Sequence, residues 1–286
     1  MAENKIIITC DSTQDLGAEL IEKYGIKVHH LIVSMGDDVY LDGEVTPDDL
    51  YDFFDKTGKL SKTAAPGPDV TENFLKQFVD EGYTVIHFAI SSQMSATFNI
   101  HRMAGEELGN VYVVDSANLS TGIGLQVIYA AELLKAGKGA EEIVEAVKEY
   151  GKKIDASFVV DTLEYLHKGG RCSSVAALGA NLLKLKPCIE VKNGAMGVGK
   201  KYRGRYADVL VNYVKERLAN KEDIDDTRAF ITHSGCSQEI LDLVEAKVKE
   251  EFNFKELYIT RAGCVVSSHC GPNTLGVLFA HKSELA

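Results

Sequence analysis

The stretch VIHFAISSQMSATFN, Val85 to Asn99, decides how the chain is read. An apolar run of strand length, Val85 to Ile90, breaks into Ser91, Ser92, Ser95 and Thr97, and the residues beyond, through Arg102 and Leu108, read as a helix. Open α/β sheets carry their sites at strand ends of this kind. A serine in that position acts as a nucleophile, as a helix cap or as a clamp on a ligand, and the stretch leaves all three open.

The same alternation extends outward on both sides. Ile6 to Cys10 reads as a short buried strand, Leu16 to Tyr24 as helix, Val28 to Ser34 as strand and Pro47 to Phe54 as helix. Val111 to Val114 is a second apolar run of parallel-strand type, followed by an amphipathic helix over Leu125 to Ala136. This predicts a doubly wound, mostly parallel sheet in a domain of residues 1–155. The second half has a different pattern. Ser157 to Asp161 reads as strand and Val175 to Leu185 as helix, and CIEVKNGAMGVGKKY centres on Asn193-Gly194, a hairpin signal that implies antiparallel pairing. Arg228 to Thr232, Gln238 to Glu251 and Leu257 to Thr260 make a strand, helix, strand unit. CVVSSHCGPNTLGVLF, Cys264 to Phe279, reads as a strand, a His-x-Gly-Pro turn and another strand. The expected architecture is therefore α/β in two domains, with antiparallel strands in the second, residues 156–286.

With 286 residues, 45% hydrophobic and 26% charged, the chain can build one large or two ordinary cores. The opening MAENKIIITCDS soon meets Asp11 and fits neither a secretion signal nor a membrane span, so a cytoplasmic protein without stable membrane insertion is expected. Six cysteines, at 10, 172, 188, 236, 264 and 270, contain no Cys-x-x-Cys pair; reduced, mostly buried thiols and no zinc site are expected. The formal net charge of −11 argues against nucleic acid or an anionic membrane as the main partner. Charge is unevenly spread. Residues 1–60 hold thirteen acids and five bases, whereas residues 167–205 hold nine bases against the single acid Glu190. Such a run is either a solvated face or a basic island suited to a phosphate-bearing or acidic partner.

Three polar segments stand out, two of them directly after apolar strands. CDSTQDL, Cys10 to Leu16, places Asp11, Ser12 and Asp15 after the first strand; Ser12 and Asp15 have capping-box spacing, so a helix N-cap is expected, with metal binding or polarisation of a hydroxyl as alternatives. In KTAAPGPDV, Thr63 precedes the rigid turn Pro66-Gly67-Pro68, and Asp69 is expected to cap the next helix. DSANLSTGIG, Asp115 to Gly124, lacks both the Gly-Lys-Ser/Thr ending and the Gly-x-Gly-x-x-Gly order of phosphate loops. No serine stands in Gly-x-Ser-x-Gly.

Seven segments in order, DSTQD, TAAPGP, ISSQMSATF, VVDSANLSTGIG, LEYLHKGGRCSS, LKLKPCIEVKNG and SSHCGPNTLG, cover essentially the whole chain, and through them it resembles the DegV family. The resemblance implies a bacterial fatty-acid-binding protein without a cofactor, its ligand held between the two domains. Some members serve as the lipid-presenting subunit of a two-component fatty acid kinase. It implies further that Thr63 and Ser95 hold the fatty-acid carboxylate, that the Ala96 backbone N–H assists, that His269 and Arg171 lie near the head group, and that Arg203 engages the kinase subunit. The chain departs from the family pattern at Ala64, where serine is usual, at Ala96 and Asn273, where glycines are usual, and at Cys270, where threonine is usual.

The residues agree with this on physical grounds. A carboxylate near a helix start meets free N–H groups and a favourable dipole, and two hydroxyls complete its hydrogen bonds without a general base. Burying an acyl tail contributes roughly 0.8 kcal/mol per methylene, on the order of 10 kcal/mol gross, against about 1.5–3 kcal/mol for each hydrogen bond to the carboxylate. The tail holds and the head group orients. The alternative is a serine-dependent lipid hydrolase or acyltransferase using Ser95 and His269, in a geometry unlike the familiar hydrolase turn.

Overall fold

The structure is a computed structural model that describes residues 5–176 and 185–285. Its strands in chain order are β1 (Lys5–Asp11), β2 (Lys27–His29), β3 (Ile32–Met35), β4 (Asp38–Leu41), β5 (Lys62–Ala64), β6 (Tyr83–Ala89) and β7 (Val111–Asp115), then β8 (Ile154–Asp155), β9 (Ser157–Val159), β10 (Lys186–Lys192), β11 (Ala195–Tyr202), β12 (Ile224–His233), β13 (Glu256–Arg261) and β14 (Leu275–His281). They form three sheets. In the first, ordered β2-β1-β6-β7, every pair is parallel, as the continuous apolar runs of β1, β6 and β7 require. The second is ordered β11-β10-β9-β14-β12-β13, with β8 also on β14, and is antiparallel except where β12 meets β13. A small antiparallel sheet, β4-β3-β5, sits beside them. The expected α/β fold, parallel in its first half and mostly antiparallel in its second, is what forms.

The Asn193-Gly194 hairpin joins β10 to β11, with both residues at positive φ (49° and 80°) as its two-residue turn demands. The helix Thr121–Lys135 packs on β1 and β6 on one side and on β8, β12 and β14 on the other. It is not amphipathic as expected: Thr121 through Ile128 are buried without a break, because a helix between two sheets has no solvent face over that length. Gly124 allows the close approach, since a Cβ there would lie 2.7 Å from Leu16 Cδ2. One core cluster spans both halves and includes Phe88, Ile123, Phe158 and Phe230.

Other expectations are corrected. Val28 to Ser34 is not one strand: the chain leaves the parallel sheet after His29 and enters the small sheet at Ile32. Cys264–Cys270 is a helix rather than a strand; an apolar run this short does not distinguish the two by periodicity. Ser12 and Asp15 form no capping box, because Ser12–Gln14 is a single 3-10 turn capped by Asp11 and the helix starts only at Ala18. Asp69 lies in the first turn of the helix Pro68–Asp80, whose N-cap is Gly67. The helix expected over 175–185 lies outside the described residues beyond Ala176. All six cysteines are free, and all but Cys236 are buried. Among the described residues no helix is long and apolar enough to cross a membrane.

Candidate ligand site

Thr63 lies on β5, the edge of the small sheet, opposite Val33. Two side-chain pairs stitch that edge to the helix Cys264–Cys270: Ser61 Oγ meets Ser268 Oγ at 2.9 Å, and Thr63 Oγ1 meets His269 Nε2 at 2.8 Å. Burial, reinforced by the charge of Arg171, lowers the His269 pKa to about 4, so its imidazole is neutral near pH 7. Its Nδ1 is buried with no hydrogen-bond partner and faces Gly169, where a Cβ would stand 2.7 Å away. In the tautomer that protonates Nε2, the imidazole donates to Thr63 and the threonine keeps its own proton free to donate elsewhere.

Ser95 follows β6 in a turn closed by Ser95 N–H donating to the Ser91 carbonyl. Its Oγ accepts the backbone N–H of Thr97 at 3.2 Å and lies 2.8 Å from Thr97 Oγ1, at the start of the helix Thr97–Leu108. The other hydroxyls of this stretch are structural: Ser91 Oγ donates to the Gly194 carbonyl at the hairpin tip, at 2.6 Å, and Thr97 is fully buried. Ala96 has an ordinary φ of −73°, so replacing the usual glycine there strains nothing, while Asn273 adopts φ 53°, a conformation asparagine tolerates.

Thr63, Ser95, Ala96, Arg171 and His269 all line one cavity of about 230 Å³ between the two halves of the chain. The remaining wall is mostly apolar and comes from both halves, Leu31, Ile90 and Leu119 facing Phe158, Val191 and Leu278. Arg171 is the one ionised side chain of the described lining, since burial also lowers the pKa of His233, and no carboxylate belongs to that lining. Ser120, at the strained dihedrals φ 54°, ψ −144°, also faces the cavity. At Thr63 and His269 the cavity adjoins a larger depression lined by Lys59, Lys62, Lys168 and Arg171 with Asp37. Sequence reading missed this depression, because Lys59 and Lys62 fall in a segment whose overall balance is acidic.

Arg203 stands apart. It is exposed on the loop after β11 and does not line the cavity. The basic island is also weaker than its sequence count: Lys168, Lys186, Lys192, Lys200 and Arg205 pair with Glu164, Asp161, Glu190, Glu216 and Asp208. Four of those acids lie outside the counted run or come from a neighbouring element, which a linear count cannot see. Ser95 and His269 share no hydrogen bond, each being engaged by a threonine instead.

A family model described as "Uncharacterised protein, DegV family" matches residues 5–282. A DegV domain-containing protein of Clostridium perfringens is 31% identical over 292 residues, covering 96% of this chain and 97% of the relative. Among solved structures, a DegV family protein from Thermus thermophilus, described for its fatty acid binding, superposes with a TM-score of 0.89 at 28% identity, over 96% of this chain and 99% of that one. A stearic-acid-binding protein from Eubacterium ventriosum superposes with a TM-score of 0.82 at 25% identity, over 97% and 98%.

Proposed function

The chain belongs to the DegV family, and from that premise we propose that it binds a long-chain fatty acid in this cavity and presents the carboxylate to a cytoplasmic fatty acid kinase for acyl-phosphate formation. The observation that carries the reading is the composition of the wall: a mostly apolar enclosure whose described lining includes the hydroxyls of Thr63 and Ser95, one guanidinium and no carboxylate. That wall suits a long tail bearing one anionic head. The solved relatives named for fatty acid and stearic acid binding support the same ligand class.

In this reading the carboxylate sits between Thr63 and Ser95, each donating its hydroxyl proton, with the Ala96 N–H and Arg171 completing its shell. The cation-lined depression beyond Thr63 and His269 then receives the phosphoryl donor that the partner brings, and Arg203 docks the partner. The lack of a Ser95–His269 hydrogen bond, with His269 Nε2 spent on Thr63 and Nδ1 facing no acid, favours binding over serine hydrolysis. Loaded protein given ATP and a fatty acid kinase should yield acyl phosphate. Arg203→Glu should slow that step at subsaturating protein while stearate affinity stays within about twofold, because an exposed charge acts on association more than on folding. Release of a hydrolysis or transfer product from the protein alone, or labelling of Ser95 by a serine-reactive probe, would replace this reading with the hydrolase.

A further inference from the structure

Two of the backbone segments that carry head-group side chains, those leading into Ser95 and His269, are anchored on three neighbouring buried carboxylates. Asp11 Oδ2 accepts the N–H of Ile90 at 2.7 Å, immediately before the Ser91–Ser95 turn, and its Oδ1 is held by Thr13. Asp15 Oδ1 accepts the N–H of Gly263 at 2.8 Å and its Oδ2 the hydroxyl of Ser120 at 2.5 Å. Asp42 Oδ1 accepts the N–H of Cys264 at 2.8 Å, and its Oδ2 the hydroxyl of Ser12 at 2.8 Å. Gly263 is the N-cap of the helix that ends in His269 and Cys270. Asp15 and Asp42 therefore hold that helix by its start.

None of the three is more than 5% exposed, and burial raises the pKa of each, to about 6 for Asp11 and about 8 for Asp15. Placing three acids so close in the interior is costly, and a neutral serine or asparagine would cap a short helix at less expense. The geometry gives a reason for the cost. From Gly263 to His269 the helix is a rigid rod of about 9 Å, so a tilt of about 10° at its cap displaces the imidazole by roughly 1.5 Å, enough to break its bond to Thr63.

We propose that Asp11, Asp15 and Asp42 are the positioning residues of the head-group site: they fix the start of the Ser95 turn and the start of the His269 helix against one another, so that Ser95 and the Thr63–His269 pair converge on one carboxylate. The proposal rests on the fatty-acid reading of the cavity.

The test titrates delipidated protein with palmitate and with 1-hexadecanol, which has the same tail length and no carboxylate. Asp15→Ala and Asp42→Ala should each weaken palmitate binding about tenfold and leave hexadecanol within about twofold, since one oriented head-group contact is lost and the tail is untouched. Asp15→Asn and Asp42→Asn, which keep an acceptor oxygen in place, should recover most of the loss. The ¹⁵N signals of the His269 imidazole should report its hydrogen bond to Thr63 in the asparagine variants and its loss in the alanine variants. Should an alanine variant fail to fold, Ser12→Ala, which frees one oxygen of Asp42, takes its place with an expected palmitate loss of about threefold. Equal losses for both ligands, or unchanged palmitate affinity, would overturn the positioning role and leave fatty-acid binding standing. A wild type that does not prefer palmitate to hexadecanol would overturn both.

Discussion

At the scale of single residues, the site is built from hydroxyls that are each half satisfied by the protein. Ser95 accepts from the Thr97 N–H and meets the Thr97 hydroxyl, and Thr63 pairs with a neutral imidazole, so the orientation of each is fixed. Ser95→Ala and Thr63→Ala should each leave the lipid bound, because the tail supplies most of the affinity, with stearate dissociation constants rising about tenfold. The double variant should fall short of the product of the two effects, since in the proposed function both groups grip one carboxylate. Acyl-phosphate formation should suffer more than binding, because phosphoryl transfer depends on alignment. Calorimetry and a coupled kinase assay on the same preparations check this; a fully additive binding loss would separate the two hydroxyls. Ser95 was legible from sequence because it ends an apolar run and precedes a helix. Thr63 and His269 stood out as residues, but their part in a ligand site came only with the family resemblance, and Asp42 gave no signal, being one of thirteen acids in the first 60 residues.

At the scale of elements, the hairpin β10–β11 closes the cavity from the second half, with Val191 and Met196 in the wall and its tip docked on Ser91. Gly194 is doubly constrained there, by φ 80° and by a Cβ position 2.7 Å from Ser91 Oγ. Gly194→Ala should therefore lower stability by about 1–3 kcal/mol in urea titrations. It should also speed lipid release, read by transfer to an acceptor vesicle; an unchanged release rate would mean that the hairpin does not gate the cavity. The parallel strands and this hairpin were readable because each has a local cause, a continuous apolar run or an Asn-Gly turn. The helix Cys264–Cys270 was not, since its start is fixed by Asp15 and Asp42, more than 200 residues away in sequence.

At the scale of the whole molecule, buried titratable groups set the pH dependence of stability. His29, His87 and His101 form a stacked, hydrogen-bonded cluster beneath the helix Thr97–Leu108, and burial lowers the pKa of each, to about 3 for His29 and about 4 for His101. With His233 and His269, five histidines have lowered pKa values, so the fold takes up their protons later than the unfolded chain does and their contribution falls as pH drops below about 6.5. Asp11, Asp15 and Asp42 act oppositely: their raised pKa values favour the fold at low pH, and that contribution is lost as pH rises, through about 6 for Asp11 and about 8 for Asp15. The lowered histidines weaken the fold as pH falls below about 6 and Asp15 weakens it as pH rises toward about 8, so the urea midpoint should peak between about pH 6 and 7 and fall on either side. A midpoint that climbs steadily from pH 6.5 to 4.5 would contradict this. The central claim, that the cavity holds a fatty acid, is tested most directly by denaturing protein purified without detergent and measuring the released lipid by mass spectrometry. The account predicts close to one equivalent of long-chain fatty acid per chain; a preparation that releases none, and takes up none when stearate is added, would contradict it.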